Sequence, residues 1–297
     1  LQADLAVLTQ CVCDPGLMVF ELDVKGKIMD WEAKLANYSD IELEAIARKA
    51  KARSISDANT AKGDEAELVL SLILAERERR YLPGNIVRFL AKNPLGFKDP
   101  LFLDEERKDK LRASDACLEL LNKHAFDAVN DGADTQGLLA SVKKVVNMTN
   151  LIQGGFEKPQ FHDAISDPKN TKVALAALGA LLHGSGEAPE RLEIFSDYLH
   201  TLNLRKWTYG TYFLFLSDRK NCMFVKPTGL QKAVEIAKYP LDYDPAPSAK
   251  IYRQVLGFAN HIDTKLRAEN NPALVPEDMI DVQSFIWFLA PTGKFAK

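Results

Sequence analysis

Cysteine and histidine are both scarce in this 297-residue chain, with four of the one and five of the other. Cys11 and Cys13 are one residue apart, too close for an easy bridge, and Cys117 and Cys222 stand alone. That is no disulfide framework, and a reducing, cytoplasmic compartment is expected. The CxxC and HxxxH spacings that gather zinc ligands are missing too. His124, His162, His183, His200 and His261 fall outside any nucleophile motif, and there is no GxSxG elbow and no GxxxxGK[ST] phosphate loop. No cofactor is expected on those grounds. Long apolar runs are also lacking: Val173 to Leu182 and Phe285 to Ala290 fall well short of the roughly 20 residues that span a bilayer. No membrane contact is expected. No signal peptide is visible where the sequence opens, at Leu1 rather than Met.

A large charge of one sign is missing as well. The net charge of −3 argues against coating nucleic acid by bulk electrostatics but leaves room for a local basic patch.

What is present is ordinary globular material, 46% hydrophobic and 27% charged, with length for one large domain or two ordinary ones. Ser39-Asp-Ile-Glu42 is a capping box, and Ile41, Leu43, Ile46, Ala47 and Ala50 follow at helical spacing. Further helices are expected over about 64–81, from Pro83, over 104–132, 135–154, 172–183, 189–202, 227–238, 248–269 and 276–289. Leu17 to Val24 reads as a strand or as an element packed on the helices. The Arg77, Arg79, Arg80 and Arg88 cluster reads as a solvated helix end. Gly154-Gly155 with Pro159 is the best internal boundary, giving helical units 1–155 and 156–297, although a helix–helix corner accounts for it equally well.

The texture changes at Arg205. Thr211 to Leu216 and Met223 to Val225 are β-rich runs around a polar, turn-prone stretch. They read as a small β-hairpin near 211–226, with a helix ending near Leu216 as the competitor. The fold expected is therefore all-α or nearly so, a bundle of about ten helices with one hairpin.

The same segment carries the strongest local anomaly. Arg205, Lys206, Arg219, Lys220, Lys226 and Lys232 face one acid, Asp218, with Trp207, Tyr209, Tyr212, Phe213, Phe215 and Phe224 interleaved. Basic groups neutralise phosphates and exposed aromatic faces stack on unpaired bases, so the mixture suits nucleic acid. The plain alternative is that the aromatics are core and the basic groups decorate turns. The two differ in whether Trp207 and Tyr209 are exposed beside Arg205 and Lys206. Lys226-Pro-Thr-Gly229 opens a helix, where free amides and the positive dipole end favour an anion that Lys226 and Thr228 could complete; an ordinary proline-initiated helix is the alternative. Asp242, Asp244 and Asp281 form a divalent-metal site only if the proline-rich loop folds onto the last helix.

Three stretches carry a resemblance: Trp207-Thr-Tyr-Gly-Thr-Tyr-Phe-Leu-Phe-Leu, Met223-Phe-Val-Lys-Pro-Thr and Pro276-Glu-Asp-Met-Ile-Asp-Val-Gln-Ser-Phe-Ile-Trp. Over roughly 205–290 the chain resembles the C-terminal part of a family of uncharacterised prokaryotic helical proteins, some associated with restriction or phage defence. The resemblance implies nucleic-acid-linked biology and assigns no catalytic residue. The leading expectation is a non-enzymatic nucleic-acid-associated protein that engages phosphates through Arg205, Lys206, Arg219, Lys220, Lys226 and Thr228, with Trp207 and Tyr209 beside them. A metal-dependent enzyme acting on nucleic acid or a phosphorylated ligand, and a scaffold for a protein partner or a second copy, are the alternatives.

Overall fold

Ser39 starts the first long helix as its sequence predicts. Its hydroxyl takes the Glu42 amide at 3.3 Å, and the Glu42 carboxylate takes the Ser39 amide at 2.7 Å. Two of the donors that a helix start leaves unpaired are thereby satisfied. The computed structural model describes residues 30–237 and 239–289. The Leu17 to Val24 run and the Cys11/Cys13 pair lie outside those residues. Helix makes up about 75% of the structure, and no strand occurs among the described residues.

The chain divides into two compact units, Leu1–Pro83 and Gly84–Lys297. In the first, residues 30–36 are helical and are followed by α1 (Asp40–Ser56) and the greater part of α2 (Ala61–Lys92). Leu35, Leu43, Ala50, Ala66, Val69 and Ile73 pack into its core. The expected solvated end at Glu76 to Arg80 is partly internal. Arg77 reaches Glu44 at 2.9 Å, and buried Glu76 accepts from Arg79 at 2.8 Å and Arg80 at 2.7 Å. Two helices were expected on either side of Pro83; α2 instead runs through it, and the division between units falls there. A proline removes one amide donor, which a helix this long absorbs.

In the second unit, Phe89 near the end of α2 packs against Phe97, Phe102, Phe285 and Phe288, with centroids 5.1 to 5.9 Å apart. Between them the chain turns at Gly96, whose φ of +59° and whose closeness to the Ala273 carbonyl leave no place for a Cβ. One helical turn, Pro100–Phe102, leads into a π-helical turn, Leu103–Arg107, and then α3 (Lys108–Leu120). The extra residue of a π turn rotates the following side chains, and here Arg107 ends up inside. There follow α4 (Lys123–Asn130), α5 (Thr135–Asn147), α6 (Glu157–Ser166), α7 (Thr171–His183), α8 (Ala188–Thr201), α9 (Trp207–Ser217), α10 (Pro227–Ala237), α11 (Ala249–Ala268) and α12 (Met279–Leu289). Gly154-Gly155 is a corner within this unit, and α5 and α6 on its two sides pack together.

The hairpin expected near 211–226 is not formed. Residues 207–217 are the helix α9, packed by α3, α7 and α8, and every residue from Trp207 to Leu216 is buried. A helix apolar on all sides shows no period of 3.6, so its aromatic and β-branched content reads as strand. The second run, Met223 to Val225, has no regular secondary structure, and its main chain bonds side chains instead of a strand. Tyr252 Oη accepts the Met223 amide at 3.1 Å and donates to the Met223 carbonyl at 3.0 Å, and Thr211 Oγ1 accepts the Val225 amide at 3.1 Å. Those side chains meet the donors that a hairpin ladder would have met.

Candidate functional site

Trp207 and Tyr209 cannot serve as base-stacking platforms, because they are 1% and 0% exposed. Both lie in the first turn of the buried α9. The Trp207 indole donates to the Asp244 carbonyl at 2.8 Å and the Tyr209 hydroxyl to the Glu157 carbonyl at 3.0 Å. The polar tip of each ring thus has a protein partner while its face is core. The plain alternative holds for the aromatics.

Three of the expected phosphate ligands are also engaged internally. Arg205 pairs with Asp197 on α8 at 3.0 Å. Lys206 lies 3.6 Å from Glu157, with its ammonium over the rings of Phe156 and Tyr209. Arg219 bonds Asp278 at 3.1 Å and the Ser114 hydroxyl at 3.1 Å, and lies 3.8 Å from Asp115. To meet a phosphate each of these cations must first leave a carboxylate, a modest cost that an unpaired cation does not bear.

Arg219 belongs to a buried charge network that the sequence does not announce. At its centre is Arg107, 2% exposed, which bonds Asp278 at 2.8 and 2.9 Å and Asp281 at 2.7 Å. Burial works against the Arg107 charge, but the bonds and fields of Asp278 and Asp281 outweigh it and hold the guanidinium above its ordinary pKa. Burial pushes the Asp281 carboxyl up to about 6, against the Glu277 amide and Arg107. One turn along, Lys110 reaches Glu106 at 3.1 Å and the Ser284 hydroxyl at 3.0 Å. Burial lowers its pKa, with Glu106 opposing. The network joins the π turn, the loop after α9 and the start of α12. Its role is architectural: each charged group already has partners within the fold.

The carboxylates proposed for a metal do not converge. Asp242 and Asp244 are exposed on the proline-rich loop, whereas Asp281 is buried against Arg107. Among the described residues no three His, Cys, Asp or Glu side chains gather as a metal would need. The loop is instead tied down as a strap, through the Trp207 bond to Asp244 and the Asp242 amide bond to Gln254 at 3.1 Å. Cys117 and Cys222 are buried, and burial pushes both thiols up to about 12.

Lys220, Lys226 and Thr228 remain of the expected set. Lys220 and Thr228 are exposed and Lys226 is half-buried. The Lys226 ammonium stands 5.1 Å from the centroid of the half-buried Trp287 ring, a cation–π contact. Behind that ring, Gly229 in the first turn of α10 approaches so closely that a Cβ would overlap Cζ3 of Trp287. Lys226, Gly229, Leu230, Gln283, Ile286 and Trp287 line a small notch between α10 and α12. Gln283 is 7% exposed and its Oε1 has no hydrogen-bond partner among the described residues. Gln283 and Trp287 were missed as site residues; the available signal was one carboxamide in an otherwise apolar stretch, Val282 to Leu289. No family model matches this chain, and no curated protein and no solved structure is significantly similar to it.

Proposed function

We propose that this chain is a non-catalytic, nucleic-acid-associated binding protein that meets phosphates at the first turn of α10. One observation carries the reading. The Lys226 ammonium has no carboxylate partner among the described residues, while Arg205, Lys206 and Arg219 are each paired. The exposed Thr228 hydroxyl lies two residues on. The first amide of α10 to find a helical carbonyl is that of Leu230, on Lys226, so those of Thr228 and Gly229 are left without one. A helix start carries about half a positive charge, which adds to the lysine. Lys220 and Lys232, both exposed, likewise have no carboxylate partner among the described residues.

The test is an anisotropy titration of a labelled single-stranded oligonucleotide at several salt concentrations. The double variant Lys220→Glu/Lys226→Glu is expected to bind at least about tenfold more weakly near 50 mM salt. Its log–log salt slope should be shallower by about 1.4, at about 0.7 for each phosphate that is no longer neutralised. Wild-type binding by that variant would remove the proposal.

A protein-partner reading has an observation of its own. Leu95, Leu101 and Leu103 are 58%, 47% and 41% exposed within one short stretch. Exposed leucines this close together are a common feature of contact surfaces. Mass measurement over a concentration series tests the self-association form of this reading, which a monomer throughout would exclude.

A further inference from the structure

We infer that the notch between α10 and α12 is a subsite for one unpaired nucleobase, with the base edge on Gln283, its ring on Trp287 and the adjoining phosphate at Lys226. This rests on the nucleic-acid reading above and names the part of the ligand that would be recognised. Three independent features meet there.

The first is the orphan. Gln283 is more than nine-tenths buried, lines the notch, and leaves Oε1 unbonded. A buried acceptor without a donor is costly, and an incoming N–H resolves it. Turning the carboxamide over exchanges the orphaned acceptor for an orphaned donor, and a base edge offers partners for both. The second is size. The notch is open to solvent on one side and holds about 10 Å³, room for one polar atom and not for a ring. What enters is therefore the edge of a ligand whose body lies outside, against a half-buried indole. The third is charge. Lys226 stands over that same indole, and the start of α10 adds its dipole. A flat ring that takes the place of the ammonium on the indole releases Lys226 to meet the phosphate beside it. A planar body, an edge with an N–H and an attached anion together describe a nucleotide in a single strand, since in a duplex the edge and both faces are already engaged.

Gly229 fits the same account. Because a Cβ there would displace the Trp287 ring, the first turn of α10 backs the indole and holds it in place. Base recognition and the phosphate position are thus set by one helical turn.

The experiment compares two oligonucleotides of equal length, one of thymidines and one of abasic spacers, so that the phosphates match and only the bases differ. Wild-type protein is expected to bind the thymidine strand about tenfold more tightly, the scale of one stacked base. Gln283→Met and Trp287→Leu are expected to bring that ratio close to one, while Lys226→Glu weakens both strands. Equal binding of both strands by wild-type protein would overturn the subsite and leave the phosphate reading standing. Binding of neither would overturn both. The wild-type ratio needs no variant, so it decides the matter even if a substitution fails to fold.

Discussion

Replacing Arg107 by methionine should destabilise the second unit more than any other single charge removal described above. The side chain is 2% exposed, and those of Asp278 and Asp281, which it bonds at 2.8 and 2.7 Å, are 3% and 2% exposed. Methionine fills a similar volume and supplies no charge, leaving two buried carboxylates without their main counter-ion. Removing one partner of a buried pair costs about 3–5 kcal/mol. For a unit of this length a kilocalorie shifts the melting midpoint by about 2–4 °C, so a fall of about 10 °C is expected. The triple variant Arg107→Met/Asp278→Asn/Asp281→Asn removes the unpaired charges together and should regain most of that loss.

The penalty should also depend on pH, with a definite sign. Burial pushes the Asp281 carboxyl up to about 6, whereas in an unfolded chain it titrates near 4. The folded form therefore holds the proton more tightly. The contribution of Asp281 to stability is greatest in acid and declines as pH rises from about 4 through 6. Arg107 pulls the other way, so its removal lifts the folded pKa further and prolongs the decline to higher pH. Urea unfolding followed by circular dichroism at pH 5 and pH 8 should thus give the larger Arg107→Met penalty at pH 8. A penalty under about 1 kcal/mol, or one equal at the two pH values, would refute the reasoning.

Gly96→Ala should lower the thermal midpoint more than Gly132→Ala. Both glycines have positive φ, +59° and +105°, but a Cβ at 96 also overlaps the Ala273 carbonyl, whereas at 132 the space is open. Backbone strain alone is worth about 1–3 kcal/mol and the overlap adds about as much again, so equal losses in paired melts would contradict the close approach. Cys117 and Cys222, with thiols pushed up to about 12, should resist alkylation near pH 8 in folded protein and react in urea. Peptide mass mapping reads both sites, and rapid native labelling of either would show the burial to be wrong.

How much of this was legible in the sequence depended on how local each feature is. The Ser39–Glu42 cap, the proline start of α10 and most helix positions could be read because their signals lie within a turn of the element they define. The π turn at Leu103–Arg107 and the passage of α2 through Pro83 could not, since nothing within a turn distinguishes them from ordinary helix and a helix boundary. α9 was misread as half of a hairpin because burial on every side erases the period that reveals a helix. The pairs failed for a different reason. Arg107 is 171 residues from Asp278, and Arg219 is 59 from it, so no spacing rule relates them. The acids at 277, 278 and 281 stand at the start of α12, where the helix dipole accounts for their position but not for their partners.

The contrast between Lys226 and the three paired cations of its segment follows from what each local backbone lies against. Arg205 and Lys206 sit in the approach to α9, where α8 and α6 present Asp197 and Glu157. Arg219 leaves the far end of α9 facing Asp278 and Asp115. Lys226 instead follows the buried irregular run Met223 to Val225, whose neighbours are the hydroxyls of Thr211 and Tyr252, and its ammonium comes to rest over the Trp287 indole. Hydroxyls and indoles position a chain without neutralising a cation, and a cation–π contact at such a site is worth only about 0.5–1 kcal/mol, less than a stacked base or a phosphate in the same place. The sequence is mildly acidic overall and supplies carboxylates to Arg205, Lys206 and Arg219. That it sets this lysine among neutral groups, at the positive end of a helix and beside a carboxamide oxygen without a donor among the described residues, is the physical reason to look for the missing anion outside the chain.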